Sequence, residues 1–78
     1  MDIITPVQIR QILAVTDALG IHREAVVVPL GREGEGSARV TPRGKLEITA
    51  PAHGDFDEWL RRLPAELARL DTSRLPRS

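Results

Sequence analysis

The feature that most constrains the fold is a row of apolar residues that recurs at helical spacing near the end of the chain. The intervals are four, three, four and three, which places five residues on one helical face: Phe56, Leu60, Leu63, Leu67 and Leu70. Asp55 is positioned to cap this helix, and Glu58 follows three residues later, as in a capping box. Pro64 lies inside the row and either kinks the helix or breaks it, and the regular spacing favours a kink.

A second amphipathic helix is predicted near the start of the chain. Thr5 provides an N-cap, Pro6 occupies the first helical position and Gln8 completes a capping box. Apolar residues recur at helical spacing as far as Leu19, and Gly20 supplies the left-handed backbone that commonly ends a helix. Each helix therefore has one apolar face, and the segment between the two helices must cover both faces.

The middle of the chain has the composition and turn residues typical of β-strands. A β-branched run over residues 25–30 predicts the first strand, and Pro29, which has no N–H to donate, predicts a free edge there. A polar, glycine-rich loop over residues 31–37 is expected to be mobile. Residues 38–40 and 46–49 flank a turn that contains proline and glycine, and they predict a hairpin.

Apolar and polar residues alternate along this hairpin, which predicts one buried and one hydrated sheet face. Val40, Leu46 and Ile48 fall on the buried side. We therefore predict an α+β fold of order α-β-β-β-α, in which a three-stranded antiparallel meander carries both helices on one face. A single small domain is expected over residues 1–72, followed by a flexible C-terminal tail over residues 73–78.

Composition limits the cellular compartments and the classes of partner that the sequence predicts. The chain has no cysteine, its first residues are acidic, and no apolar run approaches the roughly 20 residues that cross a bilayer, so we expect a cytoplasmic protein. Eleven basic and eleven acidic residues cancel, which removes the bulk attraction to nucleic acid or to an anionic membrane. Phe56 and Trp59 are the only aromatic residues, so nucleic-acid bases have little to stack on.

No residue pattern predicts catalysis, a metal or a cofactor. His22 and His53 each precede a carboxylate by two residues, but neither pair has the i, i+4 helical spacing of a metal motif. The serines fall in the predicted loop and tail, where no base would be held beside them. We interpret the chain as a non-enzyme. A hydrolase or metalloprotein that uses one of the histidines is an alternative.

The candidate binding residues are exposed cations and one large aromatic side chain. Six residues form this predicted set: Arg39, Arg43, Lys45, Trp59, Arg61 and Arg62. Strand alternation and the turn place the first three at one end of the hydrated sheet face, and the two arginines after Trp59 form a second patch on the last helix. For Trp59, a core position is the favoured interpretation and a partly exposed binding anchor is the alternative. An ordinary solvated surface is the alternative for the cations.

These features favour a small non-catalytic protein that occupies a surface of a larger host protein or nucleoprotein complex. Small proteins of this format occur in phages and mobile elements as inhibitors of host machinery such as CRISPR effector complexes. The alternative is a nucleic-acid-binding accessory protein whose basic residues contact phosphates. The element order resembles that of the double-stranded-RNA-binding domain, but the stretch that would carry the lysines of that family is acidic here, residues 54–58. Monomer and homodimer are both consistent with the sequence.

Overall fold

The computed structural model describes residues 3–73 and residue 75, and it confirms an α+β fold with the order helix, strand, strand, strand, helix. The elements, in chain order, are α1 (Pro6–Ala18), a short 3₁₀ helix (Arg23–Ala25), β1 (Val26–Val27), β2 (Ser37–Val40), β3 (Leu46–Thr49) and α2 (Phe56–Ala68). In the described part of the chain, neither α-helix has the length and apolar content needed to span a bilayer.

Both ends of α1 are held by the residues that the sequence predicted. The Thr5 hydroxyl accepts from the Gln8 N–H at 3.1 Å, and the Gln8 side chain accepts from the Thr5 N–H at 3.0 Å, which completes the capping box. At the other end Gly20 has φ of 76°, and the Ile21 N–H donates to the Thr16 carbonyl at 3.0 Å. These bonds satisfy backbone groups that a helix end otherwise leaves free.

The sheet is mixed, so the predicted antiparallel meander is wrong. The strand order is β1-β3-β2, with β3 in the centre. β2 and β3 form the predicted antiparallel hairpin, in which Val40 pairs with Leu46, whereas β1 pairs in parallel with β3, Val26 opposite Leu46. The prediction failed because alternation determines which face a residue occupies and not which strands are neighbours. Consecutive strands are adjacent in only roughly two-thirds of cases.

The connection from β1 to β2 crosses from one edge of the sheet to the other. Near its start the Leu30 carbonyl accepts from the Ile4 N–H at 2.9 Å, and Ile3 and Gly31 form an antiparallel bridge. β1 ends at Val27, short of its predicted end at residue 30, and Leu30 and Gly31 pair with the N-terminal segment and not with β3.

One cluster of buried apolar side chains joins both α-helices to the central strand. Leu46 and Ile48 of β3 are fully buried, and Ile12 of α1 and Leu63 of α2 are buried in the same cluster. Ala38 and Val40 of β2 pack against this cluster and are partly buried. The sheet therefore presents alternate residues of the hairpin to the core.

The core also includes a residue beyond α2. The Leu75 side chain is 3% exposed and belongs to the same cluster, and its N–H donates to the Thr72 carbonyl at 3.0 Å. Leu75 falls in the predicted flexible tail, so the buried core extends past the predicted domain end at residue 72. The other residues of that predicted tail, apart from Ser73, lie outside the described residues.

α2 is continuous through Pro64, which excludes a break at that position. The Asp55 carboxylate caps the helix by accepting from the N–H groups of Asp57 at 2.9 Å and Glu58 at 3.4 Å. Pro64 has no N–H to donate to the Leu60 carbonyl, and its ring is exposed. The proline therefore removes a helical hydrogen bond without gaining burial.

Two exposed prolines give opposite predictions for the same substitution. Pro64→Ala restores a helical N–H, and we expect the free energy of unfolding to rise by about 1–3 kcal/mol. Pro42 lies in the hairpin turn, where the Gly44 N–H donates to the Thr41 carbonyl at 3.0 Å. Pro42→Ala should lower the free energy of unfolding by about 0.4–1 kcal/mol, because the unfolded chain gains conformational freedom. Denaturant unfolding measures both, and a Pro64→Ala protein less stable than the wild type would contradict the prediction.

An ion pair links the end of α1 to the 3₁₀ helix. The Arg23 guanidinium donates to one oxygen of the Asp17 carboxylate at 2.8 and 3.1 Å. These hydrogen bonds lower the pKa of Asp17 below its ordinary value; partial desolvation opposes them, and charge attraction adds to them. The same contact raises the pKa of Arg23.

The lowered pKa of Asp17 predicts a pH dependence of stability. Since the folded-state pKa is the lower one, the ion pair stabilises the fold above the ordinary aspartate value of about 3.9, and its contribution is lost as pH falls through the lowered pKa. Arg23→Gln should raise the Asp17 pKa toward its ordinary value in an NMR titration, whereas Arg39→Gln on β2 should leave it unchanged. Equal Asp17 pKa values in the wild type and Arg23→Gln would refute this assignment.

Candidate functional site: a cleft between β2 and α2

Two of the predicted binding cations form hydrogen bonds within the fold. Arg39 Nε donates to the Glu47 carboxylate across the hairpin at 3.0 Å. Lys45 Nζ donates to the Glu24 carbonyl at 2.8 Å, beside β1 at the opposite edge of the sheet from β2. These two cations therefore face different partners and do not form one basic patch.

The other three predicted cations are arginines with exposed side chains. Arg43 lies in the hairpin turn, and Arg61 and Arg62 lie on α2. None of the three forms an ion pair with a residue in the ranges 3–73 and 75. Of these arginines, Arg62 lines the cleft described next, and it is therefore the one that the structure places beside Trp59.

A cleft of about 420 Å³ opens between β2 and α2, and we call it the Trp59 cleft. One wall is formed by residues 35–38, at the end of the loop and the start of β2. The other wall is formed by α2 residues spaced by three and four, which share one helical face: Trp59, Arg62 and Glu66. A second cavity of about 500 Å³ is lined by the next residues of the strand, Arg39 to Thr41, and by Leu70 and Asp71. We call the two cavities together the β2–α2 groove.

Trp59 is both a core residue and a residue of the cleft. Its side chain is 8% exposed and belongs to the buried cluster, with the Phe56 ring centroid 5.5 Å away. Its indole Nε1–H donates no hydrogen bond to a described residue, whereas the fully buried polar side-chain atoms of those residues all have partners. The indole N–H is therefore open to the cleft. The favoured core position is correct for the ring, and the same side chain presents a free donor at the surface.

The glycine-rich loop is hydrogen-bonded to the connection that precedes α2. Backbone hydrogen bonds join residues 33–34 to residues 50–53 at three places, with N···O distances of 3.0 to 3.2 Å. Arg32 Nε donates to the Pro51 carbonyl at 2.8 Å. The expectation of a mobile loop took no account of these partners, which hold residues 32–34 of the loop against the connection before α2.

Gly36 is the point at which this loop meets α2. Its φ of 82° lies in the left-handed region that favours glycine. A β-carbon at this position would lie 2.6 Å from Trp59 Nε1 and 3.2 Å from Pro51 Cδ. The close approach of the Gly36 backbone to the indole therefore sets the position of the loop against the helix.

The Trp59 cleft carries more negative than positive charge. Three carboxylates and one guanidinium line it: Glu35, Asp55, Glu66 and Arg62. Asp55 also caps α2, but Glu35 and Glu66 form no ion pair with a described residue. The charge of the cleft therefore complements a cation.

The two histidines occupy different parts of the structure. His53 is exposed and lines the Trp59 cleft. His22 precedes the 3₁₀ helix, where its Nδ1 accepts from the Glu24 N–H at 3.1 Å. Within residues 3–73 and 75, no group of three histidine or carboxylate side chains is placed to hold a metal ion.

An apolar depression of about 470 Å³ lies between α1 and α2. It is lined mainly by small and aliphatic side chains, among them Leu19 and Leu60, with Gln11 as the one polar side chain of its lining. Leu19 was predicted to face the core, but it is 40% exposed. The depression offers apolar contact with little directional bonding, so the Trp59 cleft is the stronger candidate site.

The sequence predicted two residues of the cleft and missed its loop side. Trp59 and Arg62 belonged to the predicted set, whereas Glu35, Gly36 and Glu66 did not. Glycine is the residue type that allows close approach of the backbone to another group, and Gly36 belonged to the predicted glycine-rich loop. The sequence does not reveal which aromatic ring such a glycine would meet.

Comparisons with protein-family models, with curated proteins and with solved structures give no match to this chain. The assignment of a candidate site therefore depends on the geometry of the Trp59 cleft alone. That geometry combines a fixed and unpartnered donor, unpaired carboxylates and a neighbouring strand edge.

The contact between Gly36 and Trp59 predicts a large difference between two glycine substitutions. Gly36 and Gly54 both have φ of 82°, but a β-carbon at Gly54 would meet no atom within 4 Å. Gly54→Ala should cost about 1–2 kcal/mol for left-handed backbone. Gly36→Ala should cost about 1–3 kcal/mol more, because the side chain overpacks the cleft. Denaturant unfolding measures the difference, and equal losses would refute the role assigned to the contact.

Proposed function

We propose that this chain is a non-catalytic protein-binding domain that occupies a surface of a larger partner through the Trp59 cleft. The observation that carries the proposal is the Trp59 indole N–H, which has no partner among the described residues although Trp59 is only 8% exposed. Core packing fixes the donor in place, so little conformational entropy is lost when a partner accepts from it. Tryptophan and arginine, which lie side by side here, are enriched among residues that dominate binding energy.

Most side chains suited to chemistry have roles in the fold, which favours binding over catalysis. His53 is the exception, and among the described residues no group of three possible metal ligands includes it. His22 Nδ1 accepts from the backbone at the 3₁₀ helix, and Asp55 caps α2. Ser73 Oγ donates to the Asp71 carboxylate at 2.6 Å. Nucleophilic catalysis needs a base within hydrogen-bonding reach of the nucleophile, and a carboxylate–serine pair without a histidine is a poor example of that arrangement.

A protein partner is favoured over nucleic acid for two reasons of charge. Arg39 and Lys45, two of the five predicted phosphate contacts, already have acceptors within the fold. The Trp59 cleft has an excess of carboxylates, which repel phosphate. Inhibition of host machinery by a phage or mobile-element protein, including a CRISPR effector complex, is one activity within this proposal.

Site-specific cross-linking tests the proposal in a lysate of the cells in which the protein occurs. A photoreactive benzoylphenylalanine replaces one exposed residue at a time: Ser37 in the cleft, Arg61 on α2 outside the cleft, or Arg10 on α1. We expect irradiation to join a specific protein to the Ser37 variant and not to the Arg10 variant. The Arg61 variant tests the second predicted basic patch.

Three results would contradict the proposal. A cross-link from Ser37 that nuclease removes would indicate nucleic acid, and direct binding to duplex or single-stranded probes should then weaken steeply as salt rises. Equal cross-linking from Ser37 and Arg10 would show non-specific contact. The absence of any cross-link at Ser37 would show that the cleft is not a binding surface.

A further inference from the structure

We infer that the partner contributes an extended segment that adds to the outer edge of β2 as a further strand and places a lysine or arginine side chain in the Trp59 cleft. This inference rests on the proposed function and specifies how the cleft is filled. Strand addition of this kind takes affinity from backbone hydrogen bonds and specificity from alternate side chains.

The register of the hairpin shows which backbone groups of β2 are free. The Thr41 N–H donates to the Lys45 carbonyl at 2.7 Å, and Val40 pairs with Leu46. In an antiparallel ladder, hydrogen-bonded pairs alternate with pairs that do not bond each other. Arg39 and Ser37 therefore bond to β3, whereas the N–H and C=O groups of Ala38 and Val40 point away from it.

No strand in the described part of the chain covers this outer edge. Among the described residues, β3 is the only strand that pairs with β2, and β2 is the last strand in the order β1-β3-β2. Ala38 and Val40 direct their side chains toward the core. Their free N–H and C=O groups lie in the plane of the sheet and therefore point over the β2–α2 groove. An added strand would lie along that groove. Four residues of β2 offer about 13 Å of pairing length, at roughly 3.3 Å per residue.

The charge of the groove selects the side chain that the added strand carries. Residues on one face of a strand point to the same side, so every second residue of the added strand faces α2. There it meets the unpaired carboxylates of Glu35 and Glu66, and the indole N–H of Trp59 can donate to a carbonyl. A lysine or arginine neutralises the excess of negative charge that the cleft carries.

A second copy of this chain fits the site less well than a basic segment. If two copies paired through their β2 strands, each would direct Ala38 and Val40 toward the α2 side of the other, because these residues face the core side of the sheet. Neither residue is charged, and Arg39, although it lines the second cavity, already pairs with Glu47. The carboxylates of the cleft would stay uncompensated in such a dimer.

Selection from a displayed library of random twelve-residue peptides tests the inference with the full chain. We expect the recovered peptides to share a lysine or arginine within a run of β-branched residues. A synthetic copy of one recovered peptide, labelled with fluorescein, then reports affinity by polarisation. Methylation of its alternate backbone nitrogens should lower the affinity at least tenfold, because strand pairing needs those N–H groups.

Two substitutions in the protein separate the backbone part of the recognition from the charge part. Ala38→Pro removes an outward N–H without breaking the β2–β3 ladder, since proline is tolerated on an edge strand when its nitrogen faces outward. It should lower peptide affinity about tenfold. Glu66→Lys should lower it by a similar factor. Glu24→Lys makes the same charge change at the β1 edge and should change affinity less than twofold. Thermal unfolding checks that each variant is folded.

The outcomes distinguish this inference from the proposed function. If a protein cross-links to Ser37 but the recovered peptides bind Ala38→Pro as well as the wild type, the cleft binds a protein and strand addition is wrong. If the recovered peptides lack a basic residue, the assignment of a lysine or arginine to the cleft is wrong. If no peptide is recovered and sedimentation shows a dimer that Ala38→Pro dissociates, the occupant is a second copy. If Ser37 cross-links no protein, the proposed function fails as well.

Discussion

The central position of β3 is the constraint on which the rest of the structure depends. Leu46 and Ile48 are fully buried, and β3 is paired on both edges, in parallel with β1 and antiparallel to β2. The backbone groups of β3 are thus bonded on both sides, and its apolar face is covered by the cluster that includes both helices. β1 and β2 consequently become the edges of the sheet, and the connection between them has to cross the molecule.

That crossing also builds the candidate site. The loop reaches β2 by way of backbone bonds to residues 50–53, and it places Gly36 against the indole of Trp59. This contact packs the loop against α2, and the indole N–H stays open between the helix and a free strand edge. The core and the binding surface share the same side chain, so most substitutions of Trp59 would test stability and binding together. Substitutions at Ala38 and Glu66 avoid this problem because neither side chain is fully buried.

The sequence predicted local features well and the charged surface poorly. Thr5 and Asp55 cap the helices as predicted, Gly20 ends α1, and the hairpin has the predicted partners, because each of these features depends on residues a few positions apart. The predicted basic set depended on distant contacts. Glu47 lies opposite Arg39 and a carbonyl lies beside Lys45, so two cations that looked free are engaged within the fold.

By itself, the sequence determined the α+β class, the helix ends and the hairpin, since periodicity, caps and turn residues act over short range. Only the tertiary structure decided that β1 joins the far side of β3, that Leu75 returns to the core, and that Glu35, Trp59 and Glu66 meet in one cleft. Those arrangements follow from how whole elements pack. Packing depends on the complementarity of distant surfaces, which no local pattern of residues records.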